Sequence, residues 1–400
     1  MTPLAITGVG VVSPIGSGWS AFRAALNDPE AARRRAFAEP PTVLHPERIP
    51  HPRAAEVRDF DPKRVLGVKG HRNLDRLTKF LIGAGKEALG QAGIKDADGA
   101  FARYDSTTVG VCSSTAYGSL DAITELHMVA ELEDPTYINP ARFPNTVINA
   151  AAGYVSIWED LRGPNTTIVD GNCGALDAVL TAETHLGHQR ADAFLVGGGE
   201  VLSDSLYLAF RKLGVVADGA HPTLSEAGGI HFGEGAAYFA VERHEAARAA
   251  GATVVGEILG YGTAFDAPDK EVELVHGSHR STGRAIRMAL DDAGLDPRDV
   301  DAVCCARSGL HRIDREELAA LEMLFSEFDV PVVAPKSVFG ETFGAGGALG
   351  MATALAWFDG APLCPLVRGR SRTQDAPRVV VVDAVGFYGN VSAVVLRRPD

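Results

Sequence analysis

The sequence predicts an α/β protein with a largely parallel sheet covered by helices on both faces. Two observations carry this. Short apolar, β-branched runs alternate with Ala- and Leu-rich helical stretches along the whole chain. The two halves also run in similar order: strand–helix units, a Gly-rich loop, then a closing pair of strands. This repetition predicts a pseudo-duplication with its seam near residue 250, giving an N-terminal half over 1–250 and a C-terminal half over 251–400. No linker of disordered composition separates the halves, so they are expected to pack as one body.

The elements follow from local pattern. Residues 4–12 form an apolar strand, Ser13-Pro14-Ile15-Gly16 turns, and a helix is expected over 18–26. Gly8-Val9-Gly10 after a strand invites a dinucleotide-binding reading. The third glycine position holds Ser13, however, and Pro14 follows, so the fingerprint is incomplete. Residues 28–66, with Pro40-Pro41 and Pro50-His51-Pro52, read as an irregular excursion. Leu74, Leu77, Phe80, Leu81 and Ala84 recur at helical spacing and predict a long helix over 73–91. A strand over 107–112 and helices over 117–132 and 145–158 come next, then a short strand over 166–169, a helix over 175–188 and a buried strand over 193–196. The triple glycine at 197–199 lets backbone approach closely, and without a following Lys-Ser/Thr it is no phosphate loop. The second half gives strands over 236–242 and 253–260 around a helical 243–250, a helix over 281–293, and a strand over 302–305. It continues with a helix over 314–325, a strand over 330–333, a Gly-rich loop over 336–347 and a helix over 348–358. Strands over 378–385 and 391–396 close it.

Composition bounds the function. The 400 residues are 46% hydrophobic and 22% charged, enough for one large core or two domains. No apolar run reaches the roughly 18 residues of a membrane helix. The chain enters its first strand without a basic leader, so a cytoplasmic protein is expected. Cys112, Cys173, Cys304, Cys305 and Cys364 make neither a disulfide framework nor a CxxC zinc pair. A net charge of −13 argues against nucleic-acid binding.

The stretch from Gly163 to Ala178 carries the chemistry. A strand, a tight turn and a helix in that order present one side chain at a helix N-terminus, where enzymes commonly hold a nucleophile. Cys173 is the obvious candidate there.

Several stretches together resemble the β-ketoacyl synthase family of the thiolase superfamily. They are residues 6–16, Gly163-Pro164-Asn165, His221-Pro222 through Gly233-Glu234-Gly235-Ala236, Lys336 to Glu341 with Gly344-Ala345-Gly346-Gly347, and Gly386-Phe387-Tyr388-Gly389. The resemblance covers nearly the whole chain. It implies the thiolase fold, a duplicated five-layered αβαβα architecture. That family uses a Cys to take an acyl chain from acyl carrier protein, and two His to decarboxylate malonyl-carrier and stabilise the enolate. Carried over residue by residue, the three positions fall on Asn172, Ala306 and Glu341. Cys173 is one residue late, about 100° around a helix. An amide forms no thioester, Ala donates no side-chain hydrogen bond, and Glu341 is an anion where negative charge would develop. Leu224, Ala227, Gly350 and Tyr388 depart from the pattern too, Gly350 where the family has Glu. A lost Glu at 350 beside a gained Glu341 predicts that Glu341 is the new partner of Lys336.

A ketosynthase-like body without its Cys-His-His set resembles the chain-length factor of type II polyketide synthases, in an aromatic or a polyene-making, highly reducing system. That resemblance implies no catalytic residues and no cofactor. It implies a heterodimer with an active ketosynthase α subunit, with carrier protein docking mainly on that partner, and a chain tunnel along the interface. The strand at 166–169 would pair edge to edge across the dyad, and the segment with Arg142 and Phe143 would reach across it. Tyr117, Lys336, Phe387 and Tyr388 complete the expected pocket and tunnel set. Rival readings stand beside these. Asn172 is also a good helix N-cap. Cys173 and the Cys304–Cys305 pair suit strand or helix core, and His311 with Asp314 reads as a surface pair. A homodimeric acyltransferase or hydrolase using Cys173 with Glu341 as base, and a non-catalytic homodimer binding an acyl ligand, are the competing functions.

Overall fold

The computed structural model describes residues 1–217, 228–268, 275–370 and 376–400. The sequence features at His221, Pro222, Leu224 and Ala227 lie outside the described residues. Among those described, 12 strands join into one continuous sheet. From one edge the order is Asn165–Ile168, Val109–Ser114, Ala193–Glu200, Gly235–Arg243 and Leu4–Ser13. It continues with Gly256–Phe265, Asn390–Arg397, Val379–Val385, Ala302–Cys304, Val332–Val333 and Leu366–Arg368. Taking the main strands of each set in chain order, the N-terminal set reads third, second, fourth, fifth, first, and the C-terminal set repeats this from the opposite edge, with Leu366–Arg368 added outside it. The two sets meet where Leu4, Ala5 and Ile6 pair antiparallel with Ile258, Glu257 and Gly256.

The sheet is mixed, which corrects the expectation of a largely parallel one. In each set the second strand pairs parallel with the third and fourth, while the fifth pairs antiparallel with the fourth and first. The reason is plain in the C-terminal set: the connection 386–389 is far too short for a parallel crossover, so the chain reverses.

Helices make the other layers. Arg76–Gln91 and Ala150–Glu159 cover the outer face of the N-terminal strands. His279–Ala293 and His311–Phe325 cover the outer face of the C-terminal strands. Gly174–Gly187 and Gly346–Phe358 lie between the two strand sets. All 13 residues of Gly346–Phe358 are buried, as an all-round apolar helix requires. The first strand is wholly buried, and glycine is what lets Arg76–Gln91 approach it. A Cβ at Gly8 would sit 2.1 Å from the Ala88 carbonyl oxygen, and one at Gly10 would sit 1.8 Å from that of Ala84.

Residues 28–66 are more regular than expected. Asp28 accepts from the Ala31 N–H at 2.9 Å and caps the helix Pro29–Ala36, and Asp61 caps Pro62–Leu66 in the same way. Both helices carry the Asp-Pro start signal, which the proline-rich surroundings masked. The loop at 336–347 likewise holds the short helix Lys336–Phe339 and a 3₁₀ turn, Phe343–Ala345. The helix expected over 117–132 begins at Leu120, and the one expected over 145–158 begins at Ala150. No described helix is long and apolar enough to cross a membrane.

Candidate functional site

Four segments converge at one end of the two central helices. The first is the turn after the edge strand. Gly171 takes φ +54°, and the Cys173 N–H closes the turn on the Asp170 carbonyl at 3.0 Å. Asn172 is 3% exposed, and its side-chain Nδ2 has no hydrogen-bond partner. Asn172 does not cap the helix, which corrects that reading: the cap position is Cys173, and no side chain bonds the helix N-terminus. The Cys173 thiol is fully buried and donates to the carbonyls of Ala384 at 3.2 Å and Asn390 at 3.5 Å. Burial pushes it well above the usual thiol range, and Asp177 and Asp170 add to this. It is a core group aimed away from the turn's open side.

The second segment is the loop from Lys336 to Gly347. Both charged groups are buried, and Lys336 Nζ donates to Glu341 Oε2 at 2.8 Å, so the expected new partner is in contact. Glu341 Oε1 accepts the Phe343 N–H at 2.8 Å. Burial alone would lower the Lys336 pKa, and the Glu341 carboxylate holds it above its ordinary value. Gly350 is closely packed. A Cβ at Gly350 would stand 3.0 Å from Val382 Cγ1 and 3.4 Å from Cys304 Sγ.

The third segment holds Ala306. Its N–H is shared by Glu317 Oε1 at 2.6 Å and Asp383 Oδ1 at 3.0 Å. Burial pushes Glu317 well up, with the facing Asp383 adding to this, and pushes Asp383 to about 7. Asp314 turns inward rather than pairing with His311, which corrects the surface reading. It accepts from the N–H groups of Ser308 and Gly309, both at 3.0 Å, and from Arg307 Nε at 3.3 Å. His311 Nε2 instead accepts the Gly228 N–H at 3.3 Å. Cys304 and Cys305 are both buried, on opposite faces of their strand.

The fourth segment is the loop with Phe387. Phe387 is buried against Phe210 and Phe343, with ring centroids 5.9 and 6.1 Å apart. Tyr117 stands edge-on to the Phe343 ring at 5.5 Å and to Phe210 at 6.2 Å. Phe232 closes the cluster on Phe210 and Phe343. Phe343 holds φ +43°, an uncommon conformation for a bulky residue, which drives its ring into this cluster. Phe210, Phe232 and Phe343 were not marked by the sequence. Neither was Asp383, because no local pattern announces a side chain that meets its partners only through long-range packing; Glu317, with Asp314, matches the family pattern downstream of Ala306 and fixes its register.

Three expected pocket residues lie elsewhere. Arg142 pairs with Glu125 at the surface, and Phe143, on the 3₁₀ segment Pro140–Thr146, is 62% exposed. Neither joins the cluster in this chain. Tyr388 follows Phe387 but is 60% exposed. Among the described residues no group of three or more His, Cys, Asp or Glu could hold a metal ion.

The comparisons agree with this geometry. The chain matches the β-ketoacyl synthase N-terminal domain over residues 1–247 and the C-terminal domain over 255–367. It is 32% identical over 359 residues to a 3-oxoacyl-[acyl-carrier-protein] synthase 2 of Coxiella burnetii, covering 86% of this chain and 83% of that one. It is 30% identical over 422 residues, 98% of each chain, to the actinorhodin polyketide putative beta-ketoacyl synthase 2 of Streptomyces coelicolor. The solved ishigamide ketosynthase/chain length factor superposes with a TM-score of 0.87 at 24% identity over 100% of both chains. The thiolase fold, the duplicated strand order and the paired domain matches together place this chain in the β-ketoacyl synthase family.

Proposed function

We propose that this chain is the chain-length factor of a type II polyketide synthase. It heterodimerises with an active ketosynthase α subunit and shapes the tunnel that limits the growing chain, without elongation chemistry of its own. The reading is carried by the triad that the resemblance implies: Asn172, Ala306 and Glu341 fall on the positions of the family's Cys and two His. The neighbouring Cys173 thiol is buried and turned to Ala384. Glu341, the base of the rival acyltransferase reading, is engaged by Lys336. The polyketide relative matched over 98% of both chains supports this role. Of an aromatic and a highly reducing, polyene-making pathway, we favour the second.

The surface supports a partner. None of the residues of helix Leu120–Leu132 is buried, although most are apolar. Asn165–Ile168 is a sheet edge, paired only with Val109–Ser114. Around them Leu132, Tyr137, Phe143, Ile157 and Val169 are exposed. A face of this kind suits edge-to-edge pairing with a homologous subunit. In that complex Arg142 and Phe143 reach the partner's pocket, and Tyr117, Phe387, Tyr388 and the Lys336 loop border the tunnel. Residues 1–250 and 251–400 act as one packed body in the cytoplasm, and carrier protein docks mainly on the ketosynthase.

The test is co-expression with the ketosynthase encoded beside it, with a tag on this chain only. A one-to-one complex that elongates malonyl-carrier and survives Cys173→Ala is expected. Tyr117→Ala should then lengthen or redistribute the products. A soluble homodimer that becomes acylated at Cys173 would overturn the reading.

A further inference from the structure

Glu200 ends the strand Ala193–Glu200 and is almost wholly buried. Among the described residues no ion pair reaches it. Its carboxylate instead collects donors from two separate turns. Oε2 accepts the N–H groups of Ala116 at 2.6 Å, Tyr117 at 3.3 Å and Gly344 at 3.4 Å. Oε1 accepts the Thr115 hydroxyl at 3.0 Å, and that hydroxyl in turn accepts the Gly118 N–H at 3.0 Å. The two turns touch through backbone: a Cβ at Gly344 would lie 2.5 Å from the Ala116 nitrogen. One turn carries Tyr117 and the other Phe343, whose rings meet edge-on at 5.5 Å.

We propose that Glu200 is a positioning residue for chain length: it fixes the Tyr117 turn against the Phe343 turn and so sets how far the aromatic cluster can part for an acyl chain. This rests on the chain-length-factor reading. The geometry gives Glu200 a role that packing alone would not need. An apolar side chain could fill the same space, but only an acceptor with two oxygens can hold four donors from two turns. Bonds to an ionised acceptor are about twice as strong as neutral ones. Adding a proton therefore loosens the clamp, because the acid O–H competes with the Thr115 donor.

The groups that face Glu200 are few. Tyr117 is the titratable group on the first turn, and burial, Tyr388, Glu200 and Glu341 all push its phenol up. On the second turn Glu341 is tied to Lys336. On the adjoining strand, next to Gly235, Glu234 is held by Arg76 at 2.5 Å. Burial raises Glu200 itself to about 7, against the lowering effect of the Ala116, Thr115, Tyr117 and Gly344 bonds. The clamp is thus complete on the alkaline side of neutrality and relaxed below it.

The experiment uses the co-purified complex with its ketosynthase, malonyl-carrier as substrate and mass spectrometry of the released chains. Glu200→Ala is expected to broaden the product distribution by at least one elongation unit. Glu200→Gln keeps one acceptor oxygen and turns the other into a donor, so it should mimic the relaxed, protonated state at every pH, with a broadening smaller than that of Glu200→Ala. Wild-type selectivity should change with pH around 7, and Glu200→Gln should remove that change. Thr115→Val, which deletes one donor while keeping shape, provides a milder variant should Glu200→Ala fail to fold. It should broaden the distribution in the same sense. Unchanged chain lengths in both Thr115→Val and Glu200→Ala, from a complex that elongates normally, overturn the Glu200 role. A wild-type pair that forms no complex or makes no chains overturns the chain-length-factor reading instead.

Discussion

Glu341→Gln tests the electrostatics of the Lys336–Glu341 pair directly. Lys336 is 5% and Glu341 0% exposed in their side chains, so neither charge has water to fall back on. Removing one partner of a buried pair costs about 3–5 kcal/mol, because the other charge stays behind uncompensated. Against a typical total stability of about 5–15 kcal/mol this is a large fraction. Lys336→Met alone strands the carboxylate and should cost a similar amount. The double variant Lys336→Met with Glu341→Leu strands no charge. It leaves the Phe343 N–H without its acceptor, worth about 1–3 kcal/mol. A double-mutant cycle is therefore expected to give a coupling of at least about 3 kcal/mol. Urea unfolding followed by tryptophan fluorescence reads this, since Trp357 is fully buried. The sign with pH also follows. The Lys336 pKa is raised, so the pair's contribution is complete below the ordinary lysine value and is lost as pH rises through the elevated one. A loss under about 1 kcal/mol for Glu341→Gln would refute the reasoning, because the ammonium would then have to reach water.

Other outcomes are expected from the same structure. Gly10→Ala puts a Cβ 1.8 Å from the Ala84 carbonyl oxygen, so thermal unfolding should show a loss of several kcal/mol, beyond the usual overpacking range of about 1–3. Ile157→Arg, at a residue 75% exposed, should leave the melting temperature of this chain unchanged while abolishing co-purification with the ketosynthase. Asp383 is pushed up to about 7, so the native state holds its proton above the unfolded value. Stability should therefore fall as pH rises from about 4 toward 7, by up to ~1.4 kcal/mol per unit, and then level off. Asp383→Asn should flatten that slope, and equal slopes in both proteins would exclude this source.

Much of the site was legible because it is local in sequence. The Lys336–Glu341 pair lies within one short loop, so a lost Glu at 350 beside a gained one at 341 announced it. The one-residue offset of Cys173 from Asn172 was also readable, and the thiol does point into the core, at Ala384. What escaped depends on contacts between distant segments. Glu200 binds residues 115–117 and Gly344, and Asp383 meets Glu317 beneath Ala306, with no repeat or motif joining these positions. The sheet direction was misread because alternating strands and helices are compatible with either sense until the shortness of a connection, such as 386–389, decides. Asp314 was misjudged for a related reason. Its spacing to His311 suits a helix-surface pair, but the loop at 308–309 offers it two backbone donors that a solvent-facing position cannot match.

The closed space at Gly350 bears on how this protein can change over generations. A His at 341 would take from Lys336 the carboxylate that its ammonium contacts at 2.8 Å. A Glu at 350 would drive a side chain into Val382 and Cys304. A Cys at 172 gains nothing while Ala306 and Glu341 flank the site. Under the proposed chain-length-factor reading, each single step toward a Cys-His-His set is thus opposed by the packing and charge around it. On that reading the loss of elongation chemistry would work as a ratchet, and selection could act on the shape of this pocket without that chemistry returning by accident.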